Sequence, residues 1–373
     1  MTEPRIFEEL EEAYERGYRG SVQSFDLWLT NLGINPRLFN EKAVTTFLRE
    51  NLTLTVNRAN ELETLVEFVG FFSKKRQGLY HLPIIGVTGI GKSHLVFILA
   101  QFLTKAEKNL TWKMLDATEL SEVADRLEDD QPYHELLDDL KTKKYDVLII
   151  DSCERGKAIE ESLREIVIHL KSCVLITSWT PYHWDYSKDS IEEFIPTTKE
   201  VHLEPLDQES SSNLLSEIFK LVSNGNYLLK DDVPGAVCEK SGGIPLLLIA
   251  ISIRMFHEAF FERKPDVDLS SVVFASRTLR IEEIQTTISK LTDYQLHILR
   301  LVLLNRDERG MRPSNLVDLL GKDKGTISYH LAELSRLGLL TNQRAGRWVF
   351  YRIPKSVEPF IGQRLVQEGD YLA

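Results

Sequence analysis

Cysteine is scarce in this chain: three in 373 residues, Cys153, Cys173 and Cys238. An odd number, widely spaced and set among apolar neighbours, excludes a disulfide framework and offers no CxxC or metal-ligand spacing. Buried free thiols in a reducing compartment are expected. Long hydrophobic runs are missing too. The apolar stretch Ile244 to Ile251 falls far short of the ~20 residues of a membrane span. The polar start Met1-Thr2-Glu3-Pro4-Arg5 is unlike a secretory signal, so a cytoplasmic location with no membrane partner is expected. Positive charge is also in deficit, 45 Lys/Arg against 56 Asp/Glu and a net charge of −11. That excludes a histone-like coat of cations but not a local basic patch, because a total averages over domains. No repeat or low-complexity segment is present. What remains is 43% hydrophobic and 27% charged, enough for two or three folded domains at ~100–200 residues each.

Residues 1–55 read as a charged helical extension, with Phe7, Leu10 and Tyr14 on one packing face. Beyond Glu61, short apolar runs alternate with helical patterns such as Lys92–Leu103 and Lys157–Leu170. Five runs read as strands: Leu82–Val87, Thr111–Leu115, Asp146–Ile150, Cys173–Thr177 and Glu200–Leu203. Strand–helix alternation implies crossover connections and a parallel sheet covered on both faces. The acidic stretch from Asp129-Asp130 to Asp138-Asp139 reads as a solvated helix face. The expected domains are an α/β core over 56–205, a helical unit over 206–265, a polar linker over 266–284, a compact helical module over 285–360 and a tail over 361–373.

Gly86-Val87-Thr88-Gly89-Ile90-Gly91-Lys92-Ser93 fits the phosphate-loop pattern G-x-x-x-x-G-K-S/T, with an apolar strand before it and an amphipathic helix after it. Gly86, Gly89 and Gly91 let backbone N–H groups and Thr88 wrap phosphates, and the helix N-terminus adds its dipole. Lys92 would neutralise the terminal phosphates of ATP or ADP, and the Ser93 hydroxyl would ligate Mg²⁺. Val147-Leu148-Ile149-Ile150-Asp151 delivers Asp151 to the carboxyl edge of the sheet as the second metal-holding group. The position after Asp151 is Ser152 rather than Glu. The next acid, Glu154, either positions the attacking water or is a solvated loop residue. Thr177 and Ser178 likewise either meet the γ-phosphate or water, or satisfy a strand end.

Three further strings resemble the signal-transduction ATPases with numerous domains (STAND), within the AAA+-related P-loop class and near its archaeal-type ATPases. Asn57-Arg58-Ala59-Asn60-Glu61-Leu62 resembles that family's opening motif, with Asn57 where Gly is usual, and the resemblance implies that Arg58 lies near the adenine. Leu203-Glu204-Pro205-Leu206, with Glu209 and Leu214-Leu215, resembles the start of a helical lid. Ser241-Gly242-Gly243-Ile244-Pro245-Leu246 resembles a Gly-x-Pro motif whose proline, here Pro245, presses on the nucleotide from the lid. Origin-recognition ATPases usually carry Gly-Asp-x-Arg there instead. The resemblance thus implies a nucleotide switch more than a steady motor.

Thr292-Asp293-Tyr294-Gln295 is a capping box. It opens the first of three helices, which are followed by a hairpin with the polar tip Asn342-Gln343-Arg344-Ala345-Gly346-Arg347. This module resembles a winged helix-turn-helix of transcription regulators. The resemblance implies double-stranded DNA as partner, with Lys324, Thr326, Ser328 and Tyr329 in the major groove and Arg344 and Arg347 on the wing. His330 reads as structural. From Lys290 to Lys355 there are 12 Lys/Arg and 6 Asp/Glu, which leaves −17 on the rest of the chain. The leading expectation is a slowly hydrolysing ATP-binding switch (ATP and water to ADP and phosphate) that couples nucleotide state to DNA binding, the nucleotide either repositioning the winged helix or permitting association into a homo-oligomer. Catalysis would fall to Asp151 and Glu154, and Mg²⁺ to Ser93 and Asp151. One alternative is an AAA+-type replication or transposition ATPase that assembles as an oligomer on DNA. Another is a signalling or defence scaffold whose winged helix binds protein.

Overall fold

The computed structural model describes residues 24–39, 44, 46, 57–105, 110–121, 138–139, 143–156, 158–305, 307 and 309–368. Phe7, Leu10, Tyr14 and most of the acidic stretch that begins at Asp129 lie outside them.

In chain order the first elements are α1 (Phe25–Asn31), α2 (Ala59–Lys75), β1 (Leu79–Ile85), α3 (Lys92–Lys105), β2 (Trp112–Asp116), α4 (Ala117–Ser121) and β3 (Val147–Asp151). Then come α5 (Ile159–His169), β4 (Cys173–Trp179), α6 (Pro181–Glu192) and β5 (Val201–His202). The five strands are parallel, in the order β2-β3-β4-β1-β5. All five lie where apolar runs predict them. Every residue of β3 and of β4 is buried, which is why these strands read as continuous apolar runs. Side chains alternate across the pleat. Val147 and Ile149 join one core with α2 and α3, while Leu148 and Ile150 join the other with α5 and α6. The three cysteines are free and buried.

A helical layer follows: α7 (Gln208–Val222), α8 (Asp232–Ser241), α9 (Pro245–Phe261), α10 (Leu269–Thr278) and α11 (Ile281–Ser289). The expected linker over 266–284 is therefore folded. Asp268 and Ser271 form a capping box at the start of α10, and Val267, Val272 and Ala275 are buried. Serines at 270, 271 and 276 disguised this helix as a polar connection. α1 packs against this layer, with Trp28 edge-on to Phe256 at 6.0 Å and Phe25 stacked on His257 at 4.1 Å.

The last elements are α12 (Asp293–Leu304), α13 (Pro313–Leu320), α14 (Lys324–Arg336), the antiparallel hairpin β6 (Thr341–Ala345) and β7 (Trp348–Arg352), and α15 (Glu358–Glu368). An antiparallel bridge from Met311 to Tyr351 ties the hairpin back to the helices. The expected tail from 361 is mostly helix. Val357, Phe360 and Ile361 are buried at helical spacing, in the apolar cluster that runs from the sheet through the helical layer. Such a stripe needs a partner surface, and its partner is far away in sequence.

Candidate functional site

The parallel register brings the carboxyl ends of β1, β3 and β4 to one edge of the sheet, where ligands bind in open α/β folds. β4 lies between the strand that feeds the phosphate loop and the strand that ends at Asp151. The loop leaves β1 at Gly86 and enters α3 at Lys92. Gly89 and Gly91 have φ of +81° and +106°, a region that side chains disfavour. A Cβ on Gly89 would stand 2.6 Å from the Leu246 Cβ, whereas at Gly91 it would meet nothing within 4 Å. The loop is thus closed against the helical layer at Gly89 and has room beside Gly91.

Lys92 is buried, 7% exposed. Its ammonium donates to the carbonyls of Gly86 at 2.8 Å and Val87 at 3.4 Å. It lies 3.7 Å from Glu154 Oε1. Asp151 is buried at the end of β3, and its Oδ1 accepts the Ser178 hydroxyl at 2.5 Å. The Ser152 N–H donates back to Ser178 Oγ at 2.7 Å. Ser152 adopts a left-handed φ of +60°, an unfavourable conformation for a non-glycine residue. That turn sends Glu154, in the short 3₁₀ helix Cys153–Arg155, back toward Lys92. The Glu154 side chain is 15% exposed, and its Oε2 has no hydrogen-bond partner among the described residues. Burial raises its pKa above the ordinary carboxylate range, with Lys92 opposing. A solvated loop acid would look different.

Thr177 faces the other way. Its Oγ1 accepts Trp179 Nε1 at 2.8 Å and pairs with His81 Nε2 at 2.8 Å. Burial pushes the His81 imidazole down to about 3, so it is neutral at physiological pH.

Arg58, 8% exposed, occupies the residue before α2, and its side chain makes no capping hydrogen bond to the helix's N–H groups. Its guanidinium donates to the Glu204 carbonyl at 2.7 Å and the Ile90 carbonyl at 3.4 Å, and pairs with Glu61 at 3.3 Å. It therefore brackets the phosphate loop to the start of the helical layer. Pro245 begins α9, and the next N–H, of Leu246, donates to the Gly89 carbonyl at 3.2 Å. Gly243 permits a second close approach, to the chain entering the helical layer: the Leu206 N–H donates to the Gly243 carbonyl at 2.9 Å, and a Cβ on Gly243 would fall 2.1 Å from the Leu206 carbonyl oxygen. Ser93 is half-buried in the first turn of α3.

These residues fit a polyphosphate. A buried cation, open space beside Gly91 and a helix N-terminus converge there. Among the described residues no group of three or more His, Cys, Asp or Glu gathers into a metal cage. A divalent ion at Ser93 and Asp151 would thus depend on phosphate oxygens for much of its coordination, as Mg²⁺ commonly does.

The module from 293 to 352 places its candidates differently. Lys324, Ser328 and Tyr329 on α14 are exposed, as are Arg344 and Arg347 on the hairpin. Thr326 is half-buried and donates its hydroxyl to the N-cap Asp323 at 2.6 Å. His330 packs edge-on to Tyr294 at 4.9 Å. Trp348, 43% exposed, lies between Arg347 at 4.7 Å and Arg312 at 5.3 Å. Sequence reasoning missed Arg312 and Trp348, although an exposed Trp beside Arg347 at the hairpin tip was a readable signal. It also missed Glu358 and Tyr182, which meet the phosphate loop only in three dimensions.

No protein-family model and no curated protein matches the chain. Similar solved structures include the Aeropyrum pernix Orc1 protein in complex with DNA, at TM-score 0.48 and 13% identity, covering 83% of this chain and 92% of that one. The Thermotoga maritima RuvB Holliday junction branch migration motor has TM-score 0.47 and 16% identity, covering 88% and 99%. Drosophila ORC bound to DNA has TM-score 0.43 and 14% identity, covering 84% and 87%. At these scores the functional reading rests on the chain's own residues.

Proposed function

We propose that this protein is an AAA+-like P-loop ATPase that binds ATP·Mg²⁺ between its parallel sheet and its helical layer and acts on duplex DNA through its basic C-terminal module. One observation carries the reading: buried Lys92, at the end of a glycine loop, stands 3.7 Å from a largely covered Glu154, with the buried Asp151 at the end of β3. Lys92 would exchange its neutral carbonyl partners for anionic phosphate oxygens, so that both donor and acceptor carry charge. Mg²⁺, when bound, would supply charge neutralisation for the terminal phosphates. Ser178 holds the Asp151 carboxylate in one orientation. Glu154 would take the proton of a water whose oxygen bonds to the γ-phosphorus as the β–γ bridging bond breaks, giving ADP and phosphate.

The three-helix-and-hairpin module would work as a winged helix, with α14 in the major groove and Arg344, Arg347 and Trp348 at the backbone or minor groove. Two finer forms share this chemistry, a STAND-type switch and an ATPase that assembles on DNA. ATP-driven assembly measured by light scattering, together with DNA-stimulated hydrolysis, selects the second; a monomer whose DNA affinity follows the bound nucleotide selects the first. An electrophoretic shift tests the DNA reading itself. If duplex DNA binds at ~0.1 M salt no better than background, and substitution of Lys324, Arg344 and Arg347 changes nothing, the module docks protein instead.

A further inference from the structure

Thr88 lies in the middle of the phosphate loop, yet its hydroxyl donates to Glu358 Oε1 at 2.6 Å, across 270 residues of sequence. The buried Tyr182 hydroxyl points to the same carboxylate oxygen at 3.4 Å. Glu358 is the first residue of α15. The helix is anchored by Phe360 and Ile361, which are 5% and 0% exposed. Its second turn comes close to the loop at Gly362, where a Cβ would lie 3.4 Å from Tyr182 Cε1 and 3.9 Å from Val87 Cγ1. The chain thus places one of its own carboxylates on a loop built to attract anions. Glu358 shares the sign of a nucleotide phosphate and already holds Thr88, one of the loop residues expected to meet one.

We propose that α15 is an autoinhibitory latch, in which Glu358 holds Thr88 of the phosphate loop until the polyphosphate of ATP displaces it. The inference rests on the reading of this loop as an ATP site and adds its regulation. Five residues, 353–357, join α15 to β7, and Met311 and Tyr351 tie β7 to the helices of the basic module. Release of α15 therefore frees the module's tether to the phosphate loop. By linkage, whatever draws the module away from the body raises ATP affinity by the same factor.

The test uses the full chain. ATP·Mg²⁺ is titrated calorimetrically into wild type, Glu358→Gln and Lys92→Ala, and hydrogen exchange of α15 is followed in wild type with and without ATP. Glu358→Gln keeps a hydrogen-bonding oxygen for Thr88 but removes the charge. The expected result is ATP affinity raised roughly 5- to 10-fold in the Gln variant, with faster exchange across α15 in wild type when ATP is present. A purely structural Glu358 would move stability without tightening ATP. The latch requires both results. A Gln variant that binds ATP no tighter, or an α15 equally protected with and without ATP, overturns it while Lys92→Ala still reports the site. ATP binding to none of the three proteins overturns the site reading itself, and the latch with it.

Discussion

Two charged regions of this molecule are built on opposite principles. Around the phosphate loop Lys92, Arg58 and Asp151 are buried and hydrogen-bonded: Lys92 to two carbonyls, Arg58 to two more, Asp151 to Ser178. On the basic module Lys324, Arg344 and Arg347 are exposed, and Arg347 and the half-buried Arg312 rest on the face of a half-exposed Trp348. Buried groups cannot relax into water when a partner changes, so each one matters for both folding and ligand. Exposed cations act additively on a phosphate backbone, are screened by salt, and cost the fold little to lose. The net charge of −11 averages over these two designs.

Substitutions should separate the two regions sharply. The largest effect is expected for Lys92→Ala, which should weaken ATP binding by ~100-fold or more, about 2.7 kcal/mol, by calorimetric titration. Arg58→Ala should lower stability by about 2–3 kcal/mol in urea unfolding, because it leaves two inward carbonyls and Glu61 without their donor. On the module, Lys324, Arg344 and Arg347 changed singly to Ala should each weaken duplex binding roughly 3- to 10-fold, reduce the salt slope by about one, and leave the unfolding midpoint unchanged. A comparable stability loss there would erase the contrast.

The smallest expected effect is a pH profile. Burial raises the Glu154 pKa, so the folded state retains a proton that the unfolded chain has released. Stability from this group is full below its unfolded pKa and falls as pH rises toward the folded value. Glu154→Gln should therefore unfold at higher urea than wild type at about pH 8 and match it at about pH 4. A difference that is the same at both pH values would contradict the burial of a carboxylate beside Lys92.

The local parts of this picture were readable from the chain. The five strands announced themselves as apolar runs, the loop as a glycine pattern in strand–helix context, and α12 by its Thr292 and Gln295 capping box, which the structure reproduces. Strand order was not readable, because nothing local places β4 between β1 and β3. Nor was the Ser178–Asp151 pair, which depends on that order. α10 was hidden by serines that serve its cap and its buried face, and α15 by the brevity of its stripe. The contacts that surprise most, Arg58 to Glu204 and Thr88 to Glu358, span 146 and 270 residues. No periodicity records a partner at that distance.

The central claim is that one chain joins an ATP site to a DNA-binding module. Its most direct test is duplex DNA affinity at ~0.15 M salt, with and without ATP·Mg²⁺, for wild type and for Lys92→Ala. The account predicts an affinity that ATP shifts in wild type and leaves unmoved in Lys92→Ala. DNA binding that is absent, or identical in all four conditions, would contradict it.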